Sequence, residues 1–333
     1  MIKEIGSEFH YVEMEKGEGI TFPRSGTLTF CGRTALEIVL NEIPHAKTAF
    51  LPSYCCDSMI EPFRRAGILV KFYDVNYEKT LQIDVPKDGA DLLLWCNYFG
   101  FKNELPKFNG IIIEDITHSL LSENSYHSRS DFLIASIRKW EPIYSGGYCS
   151  VKTTLVLPSQ EFVNDKAEAM KLKSQYLLDL DERKKLTYLS TFSNSNKWLA
   201  DNYSKLDIDS YSKDYIKNVN VALQREKRRK NANVLYDGLK DAVEFMFDKK
   251  YMDCPLFVPI ILKEKRDEIR KYLVDNKIYC PVLTLLIIVS EHWNKYLPWL
   301  ESELSHLPAM QYWTHYLTFL IPFTHHGVVL RIK

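Results

Sequence analysis

Ile111-Ile112-Ile113-Glu114-Asp115-Ile116-Thr117-His118-Ser119 is an apolar run that ends in two acids, with a histidine three residues after the second. Downstream, the apolar run Phe132 to Ala135 leads into Ser136-Ile137-Arg138-Lys139-Trp140, and Ser145-Gly146-Gly147 follows. In the first segment a strand-like stretch delivers an acid to its end. In the second, another such stretch is followed by a lone lysine three residues after a serine.

Working outward, further short apolar runs alternate with helical patterns. Gly32 to Leu40 reads as a helix, with apolar residues at 35, 36, 39 and 40. Ala49 to Pro52 is a short strand, Asp57 to Ala66 a helix stopped by Gly67, and Ile68 to Tyr73 a strand. Leu92 to Cys96, Gly110 to Ile113, Phe132 to Ala135 and Gly147 to Val151 read as further strands. This alternation predicts an α/β fold with a mostly parallel central sheet flanked by helices. Ligands of such sheets sit at the carboxyl ends of the strands. Pro52-Ser53-Tyr54, Asn97-Tyr98, Asp115 and Ser136 all fall at such ends.

The rest of the chain divides by composition. Residues 1–30 contain Gly17, Gly19 and Gly26 and read as an arm. Residues 155–245 are polar and helical, with no glycine between Gly147 and Gly238. Leu256 to Leu262, Asp267 to Asn276 and Ile278 to Cys280 form a strand–helix–strand pattern, the mark of a small C-terminal α+β domain. The expected organisation is an arm (1–30), a large cofactor-binding domain (31–235) and the small domain (236–333).

Bulk properties narrow the function. In 333 residues, Lys+Arg and Asp+Glu balance at 43 each, which gives no electrostatic pull toward nucleic acid or membrane. The basic run Arg225-Glu226-Lys227-Arg228-Arg229-Lys230 reads as a solvated helix face. The seven cysteines include no CxxC pair, so no metal site is expected, and buried free thiols of a reducing compartment fit them. The acid-bearing N-terminus is no signal peptide, and Val282 to Val289 is too short to span a bilayer. The expectation is a soluble cytoplasmic protein.

An acid and a lysine, each following an apolar strand, are what pyridoxal phosphate (PLP) chemistry needs. The lysine forms the Schiff base; the acid keeps the pyridine nitrogen protonated, so that the ring accepts electrons. Read alone, Asp115 is better taken as a helix cap and Lys139 as a loop residue; together they favour the cofactor reading. His118 either packs by the ring and bonds its 3-oxygen or is a structural histidine. Gly32, Arg33 and Thr34 offer N–H groups at a helix start, an anion site for the cofactor phosphate, to which Ser136 adds a hydroxyl. Arg138 either joins them or faces solvent. Tyr54 and Cys56 lie where a side chain could stack on the ring. Asn97 and Tyr98 either touch ring or substrate or form a plain turn.

The chain resembles the fold-type I PLP-dependent enzymes, and within them the DegT/DnrJ/EryC1/StrS sugar aminotransferases. The resemblance rests on Gly32-Arg33-Thr34-Ala35-Leu36, Leu51-Pro52-Ser53-Tyr54, Glu114-Asp115-x-x-His118-Ser119, Ser136-x-x-Lys139, Ser145-Gly146-Gly147 and Ile278-Tyr279-Cys280-Pro281-Val282. It implies that Lys139 carries the Schiff base, Asp115 pairs with the pyridine nitrogen, His118 lies near the ring, and Ser136 and Thr34 bind phosphate. It further implies a homodimer with active sites at the subunit interface, a glutamate donor and a keto-sugar acceptor. Three departures bear on the substrate: the serine–lysine spacing is short, Cys56 stands where an aromatic residue usually stacks, and apolar Leu283-Thr284-Leu285-Leu286 follows Val282. Other readings stay open: another PLP reaction such as decarboxylation, elimination or aldol cleavage, or a non-catalytic PLP-fold binding protein. A nucleotide-binding α/β protein lacks support, because neither GxGxxG nor a P-loop is present.

Overall fold

The computed structural model describes residues 4–78, 80–101, 104–262, 265–280, 282–283 and 317–322. The sheet expected from the apolar runs is built from β2 (Thr27–Thr29), β3 (Thr48–Pro52), β4 (Leu69–Tyr77), β5 (Leu81–Asp84), β6 (Leu92–Cys96), β7 (Ile111–Asp115), β8 (Phe132–Ser136) and β9 (Gly147–Cys149). Ahead of them lies the short β1 (Ile5–Gly6). The spatial order is β2-β9-β8-β7-β6-β3-β4-β5. The five central strands β8, β7, β6, β3 and β4 run parallel, while β9, β2 and β5 are antiparallel to their neighbours. β6 is buried at every residue, as a continuous Leu-Leu-Leu-Trp-Cys run requires of a strand covered on both faces.

Helix α1 (Gly32–Asn41) joins β2 to β3, and α2 (Asp57–Arg65) joins β3 to β4. The segments from β6 to β7 and from β7 to β8 carry no α-helix among the described residues, so the strand–helix alternation is only partial. The two largest core clusters among the described residues use the sheet. Leu51, Leu94, Ile113 and Ile134 pack with α1 and α2 in one. Leu133, Ala135, Trp140 and Tyr148 pack with Ile216 and Leu256 in the other.

The glycine-free stretch forms α3 (Gln160–Asp179), α4 (Glu182–Asn202), α5 (Ser210–Asn218) and α6 (Val221–Leu239). Leu180 turns left-handed at the end of α3, and Asp181 caps α4 through the Arg183 N–H. The arm lies across these helices. Buried Glu4 accepts from the Tyr188 hydroxyl and pairs with Lys173 and Lys185, and Glu8 pairs with Lys166. A second sheet, in the order β10-β11-β14-β13, comprises β10 (Glu244–Phe245), β11 (Phe257–Leu262), β13 (Val282–Leu283) and β14 (Leu317–Pro322). Helix α7 (Arg266–Asp275) leads to β12 (Ile278–Tyr279), which pairs with β1. Pro281 and Thr284 to Leu286, both used in the sequence reading, lie outside the described residues.

The basic run on α6 differs from expectation. Arg228 is buried, the Arg225 guanidinium donates to the Leu121 carbonyl, and Arg229 bridges Asp253 and Glu123. The reason is that α6 packs against the loops after β7 and before β11, where its arginines answer carbonyls and acids. Of the seven cysteines, Cys31, Cys96, Cys149 and Cys254 are buried, whereas Cys56 is exposed. Among the described residues no helix is long and apolar enough to cross a membrane.

Candidate active site

Strand register decides which side chains meet at the rim of the sheet. Cys96 lies beside Asp115, and Asp115 beside Ile134. Side chains alternate along a strand, so Ser136, two residues past Ile134, shares one face with Asp115 and Cys96. Glu114 and Asn97 turn to the opposite face.

Asp115 accepts the Thr117 N–H at Oδ1, 2.8 Å away. Burial pushes its carboxyl above the usual carboxylate range; the Thr117 hydroxyl and the charge of Lys139 draw it part of the way back. Lys139 ends a 3-10 turn, Ile137–Lys139, and is exposed. Its charge acts on Asp115, His118 and Cys96. Thr117 ties this group together. Besides holding Asp115, its hydroxyl accepts the Ser136 N–H at 2.9 Å, and its carbonyl accepts the Trp140 indole N–H.

His118 is fixed from two sides. Its ring stacks on Phe99 at 5.3 Å and meets the edge of Phe257 at 6.4 Å. Nδ1 accepts the Phe99 N–H at 3.2 Å, so the proton of the neutral ring sits on Nε2. Phe99 and Gly100 are both left-handed, at φ 60° and 84°, and that turn aims the N–H at the imidazole. A side chain at Gly100 would come within 2.5 Å of the Cys254 carbonyl. Burial and the charge of Lys139 hold His118 well below the usual histidine range. A histidine so depressed stabilises the fold above its ordinary pKa, and the contribution is lost as pH falls below that value. We expect NMR of the imidazole nitrogens to show the neutral Nε2–H form unchanged where a free imidazole protonates; a titration near pH 6.5 would overturn the assignment.

The opposite end of the site is cationic. α1 begins at Gly32 with no side-chain cap and no acid in its first turn, so its leading N–H groups face outward as an anion site. A Cβ on Gly32 would lie 3.1 Å from the Ser136 Cβ, so glycine lets the helix start close against β8. Arg33 Nε and Arg138 Nε are both buried, and neither has a hydrogen-bond partner among the described residues. Arg138 faces Arg33, Cys31 and Glu8. The Thr34 hydroxyl is engaged elsewhere, donating to the Tyr203 carbonyl at 2.8 Å, which leaves its backbone N–H for the site.

Tyr54 sits in an aromatic wall with Tyr98 and Phe99, ring centroids 5.5 and 6.3 Å away, and the Tyr98 hydroxyl donates to its carbonyl. Cys56 caps the start of α2 at the mouth, with its thiol 2.8 Å from the Ser58 hydroxyl. Asn97 is not brought into the site. Its amide donates to Glu114 at 2.7 Å and to Ser125, on the far face of the sheet. The structure thus brings together Asp115, Ser136, Lys139 and His118 with the start of α1, and adds Thr117, Phe99 and Trp140, to which the sequence reading gave no role. The tryptophan next to the lysine was the one available signal.

No family model and no curated protein matches the chain. Solved structures do. The putative sugar aminotransferase Spr1654 from Streptococcus pneumoniae, in its PLP form, aligns at TM-score 0.59 and 11% identity, over 94% of this chain and 89% of that one. The protein resembles the PLP-dependent sugar enzymes in fold. A DegT DnrJ EryC1 StrS aminotransferase from Brucella abortus aligns at TM-score 0.52 and 15% identity, over 92% and 86%. The GDP-4-keto-6-deoxy-D-mannose-3-dehydratase of E. coli, with bound hydrated PLP, gives 0.52 and 15% over 90% and 84%. At these identities the likeness to the PLP enzymes is one of fold, and the mostly parallel sheet with its helices is the part that corresponds.

Proposed function

We propose that this chain is a PLP-dependent aminotransferase acting on a keto sugar, with glutamate as donor and a homodimer as the working unit. One observation carries the reading: Asp115 ends β7 beside β8, the turn that leaves β8 bears Lys139, whose charge acts on Asp115, and the uncapped start of α1 packs against Ser136 at the same rim. The residues suit PLP. The α1 N–H groups, the Ser136 hydroxyl and the orphaned Nε atoms of Arg33 and Arg138 would take its phosphate. Asp115 would take the pyridine nitrogen, and Lys139 would make the covalent bond. Residues 31–235 would carry this site and 236–333 the smaller unit.

Bound PLP supplies an electron sink for the pair released at the substrate carbon. The chain's own groups do the rest. Asp115, held by Thr117, would keep a proton on the pyridine nitrogen through a charge-assisted bond when the cofactor is bound. Lys139 moves the proton at the substrate carbon as general base and then acid. His118, neutral with Nδ1 occupied by the Phe99 N–H, would offer its Nε2–H to the bound cofactor and would take no part as an acid. The wall of Tyr54, Tyr98 and Phe99 keeps water from that side.

The fold neighbours support a sugar substrate: two are named as sugar or DegT-type aminotransferases and one as a keto-sugar dehydratase. The test is an absorbance spectrum of the protein with PLP, before and after borohydride, with peptide mapping. We expect a pyridoxyl group fixed on Lys139, followed by an amino-donor screen in which glutamate removes the band. A folded protein that never attaches PLP would favour the non-catalytic binding reading.

A further inference from the structure

Next to the Lys139 turn, two ionisable side chains, Glu141 and Arg228, are buried. Trp140, fully buried, follows Lys139 and donates its indole N–H to the Thr117 carbonyl. The Arg228 guanidinium of α6 lies 4.5 Å over the Trp140 ring, donates to the Trp140 carbonyl at 3.2 Å and reaches the Leu256 carbonyl at 3.4 Å. Glu141, next in the chain, is fully buried, and neither carboxylate oxygen has a partner at hydrogen-bond geometry. The groups facing it are Arg228 and the Tyr215 hydroxyl of α5. Burial pushes its carboxyl up to about 7, and Arg228 and Tyr215 draw it back.

Around this pair lie Ile116, Ile137, Ile143, Ile216 and Leu256. Burying these two groups in such a setting is no more stable than burying well-packed apolar residues, so packing alone does not account for the arrangement. Its geometry does. Thr117 binds Asp115, Trp140 binds Thr117, and Arg228 binds Trp140, so the chain of contacts runs from the acid to the turn that bears the lysine. We propose that Arg228 is a positioning residue, its guanidinium holding Trp140 against Thr117 and so setting the turn that carries Lys139 relative to Asp115, with Glu141 as the buried acid whose field it answers. This rests on the PLP reading above.

The test uses the full chain in three forms: wild type, Glu141→Leu/Arg228→Met, and Trp140→Phe. The double variant removes both ionisable groups while keeping volume, and Trp140→Phe removes the indole N–H together with the rest of its five-membered ring, leaving an aromatic ring under Arg228. Two readouts apply: the rate of borohydride-trapped pyridoxyl addition to Lys139, and, with no PLP present, acetic anhydride labelling of Lys139 relative to exposed Lys250. Both variants are expected to keep the wild-type circular dichroism and to slow pyridoxyl addition about tenfold or more, since a 1 Å misplacement can cost about 10²-fold. Lys139 labelling is expected to change in the same variants while Lys250 labelling stays constant.

If both folded variants match wild type in both readouts, the pair is packing only and the proposal is overturned. If the double variant does not fold, Trp140→Phe decides alone. If wild type never attaches PLP, the cofactor reading fails by itself; unchanged labelling would then overturn the positioning role too, and altered labelling would sustain it as a property of the turn.

Discussion

A Lys139→Ala protein will bind PLP without becoming attached to it, and its turnover will fall by about 10²–10⁴-fold from the lost proton transfer alone. Stability should hardly move. Lys139 is exposed, and an exposed side chain outside any network contributes within about 0.5 kcal/mol. One electrostatic effect will follow. Asp115 loses the charge that draws its carboxyl down, so burial will push it further above the carboxylate range. Lys139→Arg separates the two roles, because it restores the charge beside Asp115 but not the covalent bond. Turnover, borohydride trapping and thermal melting on the three proteins make the check. Normal turnover in Lys139→Ala would end the proposed mechanism.

The second large effect falls on the acid next to Asp115. Glu114 is fully buried and accepts from Asn97 Nδ2 at 2.7 Å, from His127 N–H at 2.9 Å, from His127 Nδ1 at 2.8 Å and from the Ser130 hydroxyl. Glu114→Ala takes the shared acceptor from buried Asn97 and Ser130 and from His127, whose side chain is 27% exposed. We expect a loss of about 3–5 kcal/mol, the range for breaking a buried charged network by removing one partner. Asp115→Asn is the comparison. It replaces a carboxylate that burial already disfavours, so its unfolding midpoint should stay close to wild type while the pyridine contact is lost. Urea unfolding and PLP trapping on both variants read the contrast. Equal stability losses would contradict the assignment of the two acids to opposite faces.

That contrast marks what the sequence made legible. The acid, the lysine, Ser136 and the helix start at Gly32 could be read because each ends a recognisable apolar run, and strand ends of a parallel sheet converge on one rim. Which face Asn97 takes could not be read. It depends on the pairing of Cys96 with Asp115, and a shift of one residue in that register would have brought the amide into the site. Thr117 stood inside the quoted motif, but its value lies in contacts with Ser136 and Trp140, which only the tertiary structure supplies. Arg228 stood in a basic run that composition assigns to solvent. Its burial follows from the placement of α6 over Trp140, far earlier in the chain.

The antiparallel pairing of β8 with β9, Ile134 to Cys149 through Ser136 to Gly147, also orders events in time. Lys139 lies in the connection of a local hairpin, and such hairpins form in about 1–10 μs. The anion end instead needs Gly32 to meet Ser136 across much of the chain, and non-local pairings of that kind come slowly. Folding is thus expected to shape the lysine turn early and the phosphate cradle late, so that only a nearly finished sheet can capture the cofactor.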